Sequence, residues 1–222
     1  MDKDLYEAAE QPVAEETEAA EEVMQTPFHL GTDYESYRTF GAHPVEVDGV
    51  SGTRFQVWAP HARDVSVITS ATGWDNFCHL QRTEEDSTLW AGFVPGVKDG
   101  DIYRYVVDGA DGILRYKSDP YGFRSEKRPA NASIVSSLGQ YEWHDEIHQA
   151  QRNNATVVER PMAIYEVHLG SWKKHFENEE DKDGFLNYRE VADQLAEYVS
   201  WMGYTHVELI GICEHPFDGS WG

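Results

Sequence analysis

The sequence predicts a multidomain chain in which an all-β sandwich is followed by a single βαβ unit. Short runs of alternating apolar and polar residues recur, without intervening helices, between about residues 30 and 140. Turn dipeptides punctuate them at Asp48-Gly49, Asp99-Gly100, Asp108-Gly109 and Asp111-Gly112. After residue 160 the pattern changes to one strand, one helix and one more strand.

The strands of the first region follow from period-two alternation. Thr53-Arg54-Phe55-Gln56-Val57-Trp58 alternates and stops at Ala59-Pro60, and Val65-Ser66-Val67-Ile68 comes after a short loop. Leu89 to Val94 and Ile102 to Val107 are two further aromatic-rich runs. Short strands at this spacing predict an antiparallel sandwich.

Tyr141 to Arg160 reads as a polar linker with room for one short helix. Met162 to His168 is the next strand, ending at Gly170. Asn187 is an N-cap whose capping-box partner is Glu190. Val191, Leu195, Tyr198, Val199 and Met202 then share one helical face, Gly203 is the C-cap, and Thr205 to Ile212 forms a second strand. Strand, helix, strand implies a parallel pair. One such unit cannot bury both faces of its strands, and a full (β/α)8 barrel takes about 250 residues. The expectation is therefore the first βαβ unit of a truncated (β/α)8 barrel.

Charge narrows the functions. The 222 residues carry 40 acidic and 18 basic side chains, a net charge of −22. Such a surface repels phosphate backbones and anionic membranes, so neither nucleic acid nor a membrane is an expected partner. Residues 1–27 concentrate the excess, with nine carboxylates against the single Lys3, and read as an acidic disordered tail. Only Cys78 and Cys213 are present, no secretory leader is visible, and no apolar run reaches the ~18 residues of a membrane span. A cytoplasmic protein is expected; the sequence leaves its oligomeric state open.

Three segments carry a family resemblance. Met162-Ala163-Ile164-Tyr165-Glu166-Val167-His168-Leu169-Gly170-Ser171-Trp172 resembles the first barrel strand of glycogen branching enzymes. Tyr198 to Leu209 resembles the end of their first helix and their second strand. Glu214-His215-Pro216-Phe217-Asp218-Gly219-Ser220-Trp221-Gly222 is similar to the loop that distinguishes them within the alpha-amylase superfamily. In the front half, Phe55 to Pro60, Gly73-Trp74-Asp75, Lys117-Ser118-Asp119-Pro120-Tyr121 and Arg128 to Ser133 resemble an immunoglobulin-like, early-set carbohydrate-binding module. Gly211 departs from the pattern, standing where the family usually has proline.

The resemblance implies a division into the tail (1–27), the sandwich (28–140), the linker (141–160) and an incomplete catalytic barrel (161–222). It also implies a retaining glucan transfer, with glycogen or another alpha-glucan as partner and no metal or redox cofactor. Such chemistry needs a nucleophilic carboxylate and an acid about 5 Å apart. The family carries these groups on its fourth, fifth and seventh barrel strands, beyond Gly222, so no catalytic residue is expected in this chain. Glu166 and Glu208, on neighbouring strands, are given a structural role. Asp218 and Trp221 are expected to line the sugar cleft, or else to stabilise the turn and pack beneath it. Trp74 and Tyr116, with Arg104 nearby, are expected to stack on glucan, or else to serve as packing surface.

The competing signals are weak. His144-Asp145-Glu146-Ile147-His148 has Asp where the catalytic zinc motif requires Glu, so no metal site is expected. No phosphate-cradling glycine loop or nucleophile elbow is evident. The remaining alternatives are a stand-alone glucan-binding module with a vestigial barrel start, and another amylase-superfamily enzyme such as a debranching or trehalose-releasing hydrolase.

Overall fold

The computed structural model describes residues 26–127, 129–153, 160–175 and 184–214. Most of the acidic segment, Arg128, Asp218 and Trp221 lie outside the described residues. The chain divides into two units, one reaching Glu126 and taking back Ala130–Ser137, the other formed by Lys127–Pro129 and the residues from Leu138 onward.

In the first unit the strands are β1 (Gly41–Val47), β2 (Val50–Trp58), β3 (Ala62–Thr69), β4 (Cys78–His79), β5 (Gln81–Arg82), β6 (Leu89–Pro95), β7 (Ile102–Gly109), β8 (Leu114–Lys117) and β9 (Ser133–Ile134). They form two antiparallel sheets, ordered β1-β2-β6-β5 and β4-β3-β7-β8, with β9 also pairing with β7. One buried cluster draws from both sheets: Phe55, Val57, Trp90 and Val94 from the first, Val65, Val67, Tyr103 and Tyr105 from the second. Phe55 meets the Tyr103 ring edge-on at 5.1 Å, and the Tyr105 hydroxyl donates to the Gln56 carbonyl at 3.3 Å. The sandwich expected from alternation is therefore present, with the inward positions of β2, β3, β6 and β7 as its core.

Turn chemistry sets the hairpins. Asp48 and Gly49 both take positive φ, 51° and 77°, in a two-residue loop that brings Val47 opposite Val50. That geometry matches the twist of the flanking strands. Asp108-Gly109 behaves differently from its turn-like sequence. Both residues lie at the end of β7, where Asp108 pairs with Asp64 and Leu114, and the chain reverses at Asp111-Gly112 instead. The Asp111 side chain accepts the Ile113 amide there, which satisfies the backbone one turn later.

The second unit contains α1 (Glu146–Asn153), β10 (Ile164–His168), a single helical turn α2 (Leu169–Trp172), α3 (Tyr188–Met202) and β11 (His206–Ile210). The strands pair in parallel, Ile164 opposite His206 through His168 opposite Ile210. α3 starts as its sequence predicts. The Asn187 side chain accepts the Arg189 and Glu190 amides at 3.0 Å, and the Glu190 carboxylate accepts the Asn187 amide at 2.8 Å. It ends at Gly203 with φ 80°, whose N–H returns to the Val199 and Ser200 carbonyls. Val191 and Leu195 bury against Val167, flanked by Tyr165, Leu169, Trp172, Leu186 and Val199. On β11, however, the apolar Val207 and Leu209 remain 38% and 41% exposed. No helix among the described residues is long and apolar enough to cross a membrane.

Candidate functional site

The outer face of the β4-β3-β7-β8 sheet carries the sandwich's candidate ligand-binding side chains. Tyr103 and Tyr105 point into the core, so Arg104 and Val106 between and beyond them face outward. Tyr116 on β8 lies directly opposite Val106 on this outward face. Val106 is buried there while Tyr116 stays 53% exposed. Trp74 lies in the loop after β3, which leaves the sheet beside Arg104, since Ile68 pairs with Arg104 and Thr69 with Tyr103. Gly73 takes a positive φ of 80°, and the Asn76 amide bonds back to its carbonyl at 3.0 Å. This turn holds Trp74 outward, 43% exposed. Arg104 donates to the Asn131 side-chain carbonyl, which fixes the guanidinium at the sheet surface.

A buried polar bracket supports that face. Asp119 accepts the Tyr103 hydroxyl at 2.6 Å and the Tyr121 amide at 2.8 Å, and its own amide donates to Ser133 Oγ at 2.9 Å. Burial raises the Asp119 carboxyl above its ordinary range, even though the Tyr103 and Tyr121 hydrogen bonds act in the opposite direction. Burial, together with the Asp119 charge, likewise raises the Tyr103 phenol. Sequence reasoning picked out the Ser118-Asp119-Pro120 string by resemblance but missed this role, because nothing local marks Asp119 as a buried acceptor.

A second bracket holds the N-terminal segment to the same unit. His29 Nε2 lies 2.7 Å from Asp86 Oδ2, with both side chains buried. Burial raises the Asp86 carboxyl, but hydrogen bonds from the Thr88 hydroxyl and amide and from His29 outweigh it and hold the group below its ordinary value. Phe28 stacks on Phe40 at 4.5 Å, and Phe40 stacks on Tyr121 at 4.9 Å.

Two acid and histidine groupings have no catalytic geometry. His79 Nδ1 faces both Asp64 Oδ2 at 2.8 Å and Ser66 Oγ at 3.0 Å. A proton relay needs the hydroxyl and the carboxylate on opposite ring nitrogens, and here they share one. Glu166 and Glu208 are direct register partners on β10 and β11, both exposed. Side-by-side placement on one sheet face is the arrangement of neighbours in a ladder rather than of two acids across a cleft. His144 precedes α1 while His148 lies within it, so the two do not share a helix face. Among the described residues no group of three or more His, Cys, Asp or Glu is arranged to hold a metal.

The comparisons with known proteins agree with this architecture. Residues 39–122 match carbohydrate-binding module 48, the isoamylase N-terminal domain. The chain is 47% identical over 195 residues to 1,4-alpha-glucan branching enzyme GlgB of Halothermothrix orenii, covering 88% of this chain and 30% of that protein. Among solved structures, an alpha-amylase-like protein of Salmonella typhimurium superposes with a TM-score of 0.54 at 20% identity, covering 83% of this chain and 26% of its own. A ligand-free PulA mutant of Klebsiella pneumoniae gives 0.52 at 21% identity, covering 77% of this chain and 17% of its own. At that identity the two structures speak for the fold alone.

The sandwich contains the segment, residues 39–122, that matches carbohydrate-binding module 48. Over most of its length the chain is similar to a 1,4-alpha-glucan branching enzyme, and it spans under a third of the length of that relative.

Proposed function

We propose that the chain is the N-terminal portion of a 1,4-alpha-glucan branching enzyme, in which the sandwich binds glucan and the second unit opens the catalytic (β/α)8 barrel. The observation that carries this reading is the 47% identity to GlgB over nearly the whole chain. The exposed apolar residues of β11 support it, because a parallel strand of a barrel is covered on both faces. In this reading residues 28–140 are the module, 141–160 the linker, and 161–222 the first βαβ unit.

The reaction would be a double displacement. A carboxylate attacks the anomeric carbon of a 1,4 linkage while a carboxylic acid protonates the departing 4-oxygen, leaving a glycosyl ester. The 6-hydroxyl of another glucose residue, deprotonated by the same acid–base group, then displaces the ester carboxylate and forms the 1,6 branch. Both carboxyl groups would belong to strands beyond these 222 residues, so this chain alone would transfer no glucan. Asp218 and Trp221 would line the cleft at the C-terminal side of the strands.

Trp74 and Tyr116 would present flat rings to glucose, with Arg104 donating to hydroxyls. Co-sedimentation with glycogen tests this part. The chain should pellet with glycogen, and Trp74→Ala and Tyr116→Ala should each weaken binding about tenfold, the worth of one lost stacking contact. Binding unchanged in both variants would leave the sandwich as packing surface only. Binding that persists in a full-length polypeptide without any branching activity would favour the stand-alone module.

A further inference from the structure

We propose that the second unit carries a binding site for the phosphate group of a small sugar phosphate, in the cleft between α1, Arg160 and the start of β11. The cleft has a volume of about 220 Å3 and is lined by His148, Gln151 and Arg152 of α1, by Arg160, Pro161 and Met162, and by His206. Four of those seven side chains are basic, in a chain with 40 acidic and 18 basic residues. Among the described residues no carboxylate lines the cleft and none of the four forms an ion pair. Everywhere else that an arginine of the described residues forms an ion pair, its partner is a nearby Asp or Glu, as in Arg63 with Asp108 and Arg115 with Asp111.

Position explains the convergence. His148 and Arg152 are four residues apart, so they project from one face of α1. β11 begins at His206 directly beside Ile164, which brings the histidine to the chain that leads in from Arg160 through Met162. His206 Nδ1 is engaged by the Thr205 hydroxyl at 2.7 Å, which leaves Nε2 for a ligand.

The chemistry selects phosphate over a carboxylate. One arginine satisfies a carboxylate with a two-pronged contact, whereas two guanidinium forks and two imidazoles match the three terminal oxygens of a phosphate monoester. Pro161 and Met162 give the cleft an apolar wall suited to the carbon side of a sugar. The proposal is independent of whether the sandwich binds glucan.

Calorimetric titration of the whole 222-residue chain at low salt tests it, with inorganic phosphate, glucose 6-phosphate and glucose as separate titrants. Both phosphates should bind and glucose should not. Arg152→Gln and Arg160→Gln should each weaken phosphate binding about tenfold, as expected for loss of one charge-assisted contact. Arg38→Gln, on the first unit, should leave it unchanged. Both arginines of the cleft are exposed, and histidine ring NMR signals on titration give a second readout that should shift for His148 and His206. Tighter binding of the sugar phosphate identifies the ester as the ligand, and equal affinities identify phosphate itself, both within the proposed site. Absence of binding, equal weakening by Arg38→Gln, or binding of glucose as tight as that of its phosphate would overturn the proposal.

Discussion

The Tyr103 hydroxyl donates a 2.6 Å hydrogen bond to the Asp119 carboxylate inside the sandwich. It ties β7 to the chain leaving β8, directly beneath the face that presents Tyr116 and Arg104. Because burial raises the Asp119 carboxyl, the folded state binds a proton that the unfolded state releases. Its contribution is therefore fully present below the ordinary carboxyl value near pH ~4 and is lost as pH rises through the raised value. Asp119→Asn should remove this dependence. Denaturant unfolding at several pH values should show wild type gaining on the variant as pH falls toward ~4; a constant difference would contradict the assignment.

Asp86 has the opposite sign. Its carboxyl is held low, so its contribution is present above the ordinary value near pH ~4 and disappears as pH falls through the depressed one. Asp86→Asn removes the carboxylate that His29 is hydrogen-bonded to and should cost about 1–3 kcal/mol at neutral pH, the range for leaving a buried polar group without its partner. The deficit should shrink in acid. Urea melts at neutral and acidic pH read both effects.

Asn187→Ala deletes both acceptor contacts of the α3 capping box. A loss of about 1 kcal/mol is expected, and Asn187→Asp should retain most of it. Thermal unfolding followed by circular dichroism distinguishes the two variants.

The two units should differ in protection. β2 and β3 are central strands around the main buried cluster, whereas β11 is exposed along most of its length. Amide hydrogen exchange should therefore be faster in β10 and β11 than in β2 and β3. Equal protection would count against an uncovered sheet in the second unit.

Much of this was legible in the sequence where a local pattern carried it. The Phe55–Trp58 and Val65–Ile68 alternation, the Asn187/Glu190 cap and Gly203 each act within a few residues, and each appears in the expected element. β1 was not singled out, since Gly41-Ala42-His43-Pro44 buries only its first residues and has no sustained alternation. β4, β5 and β9 are two residues each and exist only by pairing with longer strands. The His29–Asp86 contact spans 57 positions, and the basic cleft gathers α1 with β11, so neither leaves a local trace. Trp74 and Tyr116 were legible as aromatics, but only the sheet register assigns Tyr116 and Arg104 to one outward face.

Iodine-stain branching assays test the central claim most directly, run on this chain and on a polypeptide that continues it through the remaining barrel strands. The account predicts no shift of the glucan–iodine spectrum with the 222 residues and a clear shift with the longer polypeptide. Branching by the 222-residue chain itself would contradict it.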